Sequence, residues 1–256
     1  MQSKHTKNKN GVIVWEGNSQ IDGQPIVLIL SGLMYSANDK TGNMLQTYIL
    51  RQDVHPVEAI RSGDDYSICG NCSHRGRGKE HGEVRTCYVR VETAPAQIWR
   101  IYNQDGYEKW SQVEKKLRLA HRELRMGSYG DPAAVPFSVW QNLLKRVHSH
   151  TGYTSQWRHS FSQPFRGIVQ ASCSNLQDYL DAKSLGWMTY TTLPNGHSGI
   201  DGAMKCVNES SEKTVQCQQC MLCDGVSRDI TVTVHGTLHK QRHFEEKHYV
   251  QFNSRH

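Results

Sequence analysis

Apolar positions along the chain fall into short runs at its start and into alternating strand-like and helix-like periods in its middle. Residues 12–15 and 26–30 read as strands. The polar stretch between them carries Asp22-Gly23, a hairpin signal. A turn-rich segment, residues 36–42, precedes a third apolar run at 44–50, and 56–61 suits a short helix. Amphipathic helices are predicted over 95–102 and 110–121. From there strands are predicted at 123–127, 153–157, 167–171, 187–193 and 230–234. Between them lie a helix at 136–147, with Val139, Trp140, Leu143, Leu144 and Val147 on one side, and a helix at 175–185 stopped by Gly186.

Strands alternating with helices imply βαβ crossovers and a parallel sheet. The expected fold is therefore α/β: a partial (β/α) barrel or an open parallel sheet with cysteine-rich metal-binding insertions. Residues 11–236 read as one domain, residues 1–10 as a disordered basic arm and residues 237–256 as a polar, His-rich tail. In parallel sheets the chemistry sits beyond the carboxyl ends of the strands. That rule selects Ser128, Tyr129 and Asp131, then Gln156, Trp157 and Arg158, then Ser172, Cys173 and Ser174, then Thr191 and Thr192, and finally His235. For Asp131 the competing reading is a cap on the following helix. Trp99, Trp110 and Trp140 are expected in the core, whereas Trp157 and Trp187 are candidates to stack on an adenine or a base.

Composition narrows the class. With 256 residues, 30 basic and 24 acidic side chains, the formal charge is +6, a mild bias toward polyanionic partners. No stretch approaches eighteen apolar residues, so no membrane span is expected. The polar, basic start lacks an apolar secretory core, and a cytoplasmic, reducing location is expected.

That compartment bears on the eight cysteines. A disulfide framework is the competing explanation, but reducing conditions and a chain long enough for a core weigh against it. Seven of the cysteines fall into two sets: Cys69-x2-Cys72 with Cys87 after a fourteen-residue spacer, and Cys206 with Cys217-x2-Cys220-x2-Cys223. C-x2-C spacing brings two thiolates from one tight turn to one metal centre. The C-x2-C-x2-C core of the second set suits [4Fe–4S] ligation better than tetrahedral zinc. The first set has three thiolates, so its fourth position is left to His74, His81, solvent or a substrate. Cys173 stands alone after an apolar run and reads as a small core residue. His239 and His243 have metal-compatible i, i+4 spacing, but the charges interleaved around them favour a solvated tail.

Several stretches resemble a family of phage and plasmid proteins of the "gene product eighty-eight" type. They are residues 40–44 (KTGNM), 69–75 (CGNCSHR), 87–89 (CYV), 127–136 (GSYGDPAAVP), 151–158 (TGYTSQWR) and Gly186-Trp187. The similarity runs from about residue 36 to residue 236. It implies an iron–sulfur protein on a partial (β/α) barrel related to radical S-adenosylmethionine enzymes, with hypermodification of phage DNA bases as the expected chemistry and the host cytoplasm as the location. The first cysteine set departs from the compact C-x3-C-x2-C loop of those enzymes.

The expected function is thus an iron–sulfur enzyme. Cys69, Cys72 and Cys87 would hold a [4Fe–4S] cluster serving reductive cleavage of S-adenosylmethionine. Ser128, Tyr129, Asp131, Gln156 and Ser172 would contact that cofactor, and Ser128, Asp131 and Arg158 would serve the chemistry on a small molecule, nucleotide or DNA base. Cys206, Cys217, Cys220 and Cys223 would hold a second, fully ligated cluster. The alternative is a zinc-stabilised nucleic-acid-binding protein, with Arg75, Arg77, Lys79 and Arg85 set against phosphates.

Overall fold

A computed structural model describes residues 7–36, 38–76, 84–212 and 214–253, with side chains as far as His248. Among these residues ten strands form one mixed, mostly parallel sheet: β1 (Gly11–Asn18), β2 (Pro25–Ser31), β3 (Leu45–Arg51), β4 (Glu108–Lys109), β5 (Glu123–Tyr129), β6 (Ser149–Thr154), β7 (Gln170–Cys173), β8 (Thr189–Leu193), β9 (Met204–Lys205) and β10 (Ile230–Thr233). The hydrogen-bonded order is β4-β1-β2-β3-β5-β6-β7-β8-β10-β9. Strands β1 to β3 are an antiparallel meander. From β3 onward every pairing is parallel.

The meander follows from its sequence. Asp22 and Gly23 close the first turn, where Gly23 takes a φ of +76° and its N–H donates to Ser19 O at 2.9 Å. Residues 26–30 are wholly buried, as expected of a central strand that is apolar without alternation. Each parallel crossover carries a helix or helical turn, including Phe137–Leu144 and Leu176–Ser184. The second of these begins on Asn175, whose side chain accepts from Asp178 N, and ends before Gly186 at φ +77°. Their apolar faces meet the core side of the sheet, where Leu124, Met126, Trp140, Phe165 and Trp187 are fully buried.

Several expectations are corrected. Only Trp110–Val113 is helical within 110–121. Arg146 Nη1 donates to Glu114 O at 3.0 Å, taking the carbonyl that a continuing helix would offer to residue 118. The strand expected at 153–157 lies at Ser149–Thr154, leaving 155–158 in the loop beyond it. Residues 7–10 of the expected disordered arm are fastened, with Asn8 N on Gly106 O at 2.7 Å and Lys7 ion-paired with Asp105; residues 1–6 lie outside the described chain. The expected solvated tail forms the helix Leu238–Asn253, because Phe244 and His248 are buried against the domain. Trp157 and Trp187 are also buried, 1% and 0% exposed, so neither offers a ring to a ligand. Trp140 is in the core, while Trp99 and Trp110 are half-buried.

Candidate metal centres and the cavities between them

The first cysteine set is built at the carboxyl ends of β5, β6 and β7. Cys69 ends the short helix Tyr66–Cys69, and Gly70 (φ +52°) turns the chain so that Cys72 N reaches Cys69 O at 3.2 Å. Cys87 arrives from the far side of the excursion and pairs with the same turn, its N–H on His74 O at 2.9 Å. Two groups that the sequence placed at the strand ends lock this turn. Gln156 Nε2 donates to Cys69 O at 3.0 Å, and Asp131 N donates to Ile68 O at 2.6 Å. Lys240, from the C-terminal helix, donates to Cys87 O at 2.6 Å.

All three cysteines line one cavity of about 140 Å³, together with Ser128, Tyr129, Asp131 and Ser172. Arg85 and His74 complete its wall. Burial holds the Cys69 thiol well above its ordinary value and pushes Cys72 up to about 11, with neighbouring Asp65 and Cys87 adding to the effect. The bare Cys69 and Cys72 thiols are therefore protonated, and a bound cation is what would draw out their thiolates. Two buried donors in this wall, Tyr129 OH and Arg85 Nη2, have no hydrogen-bond partner among the described residues. Leaving such donors unpaired costs about 1–3 kcal/mol each. A negatively charged guest beside the cysteines supplies the missing partners, which is how these residues fit a thiolate-ligated cluster.

The remaining expected site residues divide. Asp131 is saturated within the chain. Its Oδ1 accepts from Ala133 N at 3.0 Å and Thr154 Oγ1 at 2.7 Å, and its Oδ2 from Ser155 N at 2.7 Å and Gln156 Nε2 at 3.4 Å. Burial nevertheless outweighs these bonds and raises its carboxyl above the ordinary value. Asp131 thus caps the turn after β5 and ties it to the loop after β6. Ser128 Oγ bonds Gln46 Oε1. Arg158 stands away from the cysteines, bound to Asp178 and Asp181 at 2.9 Å each and stacked 3.8 Å over Trp157. Of the proposed fourth ligands, His74 lies in the cavity wall and His81 lies outside the described residues.

The second set lies over one face of the sheet. Cys206 N bonds Thr231 O beside β10 at 2.8 Å, and Cys217 N bonds Lys40 O at 2.9 Å. After Met221, at φ +54°, Cys223 reaches β6, where its carbonyl accepts from Gly152 N at 3.0 Å. The four cysteines line a gap of about 20 Å³, the measure of one or two waters and too small for a cubane unless its walls part. Burial raises Cys220 and pushes Cys223 up to about 12. Among the described residues no three or more His, Cys, Asp and Glu side chains are grouped to hold a single metal ion. Thiolates around one zinc stand about 3.8 Å apart, from Zn–S bonds near 2.3 Å, whereas a cubane spreads its ligands over separate irons.

Both sets share a wall that sequence reasoning missed. The register sets Gln46 of β3 against Arg125 of β5, and Arg125 against Thr151 of β6. Arg125 and Tyr153 border both the three-cysteine cavity and the four-cysteine gap. The signal was Arg125 itself, a cation set between the apolar Leu124 and Met126 of β5. Two of the basic residues assigned to phosphate contact turn inward instead: Arg75 and Arg85 bind the buried Asp65 at 2.6 and 3.5 Å. Arg77 and Lys79 lie outside the described residues. Among the described residues no helix is long and apolar enough to cross a membrane. No family model, curated protein or solved structure matches the chain.

Proposed function

We propose that this chain is an iron–sulfur enzyme in which Cys69, Cys72 and Cys87 hold a [4Fe–4S] cluster with one iron left open. The supporting observation is that these three thiols share a cavity with Tyr129 OH and Arg85 Nη2, two buried donors with no partner among the described residues. A cluster of this type supplies the electron for reductive cleavage of S-adenosylmethionine, the chemistry the family resemblance implies.

The chain's own part is positioning. Arg85 and Tyr129 offer hydrogen bonds to an anionic group, such as a carboxylate, beside the open corner. Ser128, held by Gln46, adds a hydroxyl at the boundary with the next cavity. Asp131 and Gln156 act through the backbone, fixing the cysteine turn against the strand ends. Arg158 has no part in the site, since its charge is already met by two aspartates.

Cys206, Cys217, Cys220 and Cys223 hold a second centre that anchors their segment on the sheet. Here the spacing favours a cubane, and the small gap would suit one zinc, the second reading for this set, only if the cysteines closed up around it, since no three of the described side chains are grouped about a single ion.

Anaerobic purification with iron, sulfide and zinc measured per chain tests the proposal, together with the visible spectrum. Iron near four with matching sulfide and about one zinc, or iron near eight, supports it. The reduced protein should then change its paramagnetic resonance spectrum on adding S-adenosylmethionine. A colourless protein holding only zinc refutes it.

A further inference from the structure

A cavity of about 250 Å³ lies against the three-cysteine site and the four-cysteine site at once. It shares Tyr88, Arg125, Ser128 and Tyr153 with the first, and Lys40, Arg125, Tyr153 and Cys217 with the second. Its wall carries three cations, Lys40, Arg90 and Arg125, and three phenol rings, Tyr48, Tyr88 and Tyr153, with no Asp or Glu among the lining residues.

The cations are poorly neutralised. Arg125 is only 7% exposed, and among the described residues its guanidinium has no carboxylate partner; it lies 4.0 Å over the ring of Tyr153. Lys40 Nζ sits 5.5 Å over Tyr88 and likewise makes no ion pair with a described carboxylate. Among the described carboxylates Arg90 reaches only the exposed Glu92, at 3.5 Å. A buried cation without a counter-charge is costly, so an anionic guest would stabilise this arrangement. Both faces of Tyr153 are covered, by Arg125 and Tyr190, so Tyr48 and Tyr88 are the rings a planar guest would meet, and stacking contributes about 0.5–1.5 kcal/mol per aromatic pair beyond area. The volume falls below the roughly 300–1,000 Å³ of drug-sized sites, which limits the guest to about one ring and one anionic group.

We infer that this cavity binds a small ring compound bearing a phosphate or carboxylate, and that this compound is the substrate class of the enzyme. The second half of that statement rests on the proposed iron–sulfur reading; the binding site itself does not.

Titration calorimetry on the anaerobically purified full chain tests it, using phenyl phosphate, benzoate, inorganic phosphate and phenol as probes. Phenyl phosphate or benzoate should bind at least about tenfold more tightly than phenol and than inorganic phosphate, and whichever binds tighter identifies the anion. Lys40→Gln should weaken that probe by about tenfold and make its affinity less dependent on salt. Tyr88→Leu, at an exposed position, should erase the preference for phenyl phosphate over inorganic phosphate without affecting the fold. Equal binding of phenol and the anions, no saturation by either ringed anion at about 10 mM, or an unchanged affinity in a folded variant overturns the inference. Metal content measured on the same sample separates this outcome from failure of the cluster reading, because a chain without iron that still binds a ringed anion refutes only the latter.

Discussion

The guanidinium of Arg125 lies 4.0 Å over the ring of Tyr153, and this pair forms the partition between the two cysteine-lined sites. Tyr153 is in turn stacked on Tyr190, with ring centres 4.0 Å apart. Strand register brings the pair together, since Arg125 faces Thr151 and the next inward position on β6 is Tyr153. Burial works against the charge on Arg125, but the neighbouring Tyr153, Tyr88 and Cys217 hold its pKa above the ordinary value.

Removing that charge should loosen both centres. A desolvated cation–π contact is worth about 2 kcal/mol, and the positive charge also offsets thiolates gathered on either side. Arg125→Leu is therefore expected to speed iron loss to a chelator by about tenfold while the apo-protein keeps its melting temperature to within a few degrees. Unchanged iron loss would show that the partition is only a packing element.

The two cysteine sets should respond differently to truncation. Cys87→Ala removes one of three ligands from the site with the open corner, so iron should fall by about four atoms per chain and the response to S-adenosylmethionine should vanish. Cys220→Ala acts on the segment that clamps β6 through Gly152 and the 40–43 loop through Lys40, so its main effect should be a lower melting temperature. Metal analysis and calorimetry on both variants check this. A Cys87→Ala chain that keeps its full iron would refute the assignment.

Gly70 offers a test that leaves every ligand in place. It adopts φ +52°, and a methyl group there would run into the Gln156 amide that holds the Cys69 carbonyl. Gly70→Ala should cost about 1–3 kcal/mol from backbone strain and the displaced glutamine. Iron should be lost from the first site while the metal of the second is retained. Equal loss from both would mean that Gln156 supports the fold as a whole rather than the turn.

How far the sequence revealed this arrangement depended on where the cue lay. The hairpin was legible because Asp22-Gly23 sits between two apolar runs, and the helix at 175–185 because Gly186 marks its end. β6 was misplaced because Ser149, His150 and Thr151 are polar; Thr151 lies on the face shared with Arg125, where a strand loses its apolar alternation. The C-terminal helix was hidden by its charges, since two buried side chains, Phe244 and His248, dock it. The cysteine spacing marked both candidate centres, but not that they share a wall. That wall depends on pairing between β5 and β6, a long-range contact that no local pattern encodes.

The last prediction concerns pH. His74 stacks on Phe244, with ring centres 5.3 Å apart, and its Nδ1 meets Thr86 Oγ1 at 3.0 Å. Burial, reinforced by the nearby His248, His235, Lys247 and Arg85, holds its pKa down at about 3. An unfolded histidine titrates near 6.5, so the unfolded chain takes up a proton that the folded chain refuses. The stability contributed by neutral His74 is complete above about pH 6.5 and is lost as the pH falls toward 3, by at most about 1.4 kcal/mol per pH unit. His150, also lowered by burial, adds a slope of the same sign, while the raised carboxyls of Asp65 and Asp131 act in the opposite direction. All three remain in a His74→Gln variant, so the difference between the two proteins isolates His74. Urea unfolding of the metal-free chains between about pH 7 and pH 4 should show wild type losing stability faster than the variant. Parallel curves would mean that His74 stays accessible to protons in the folded state.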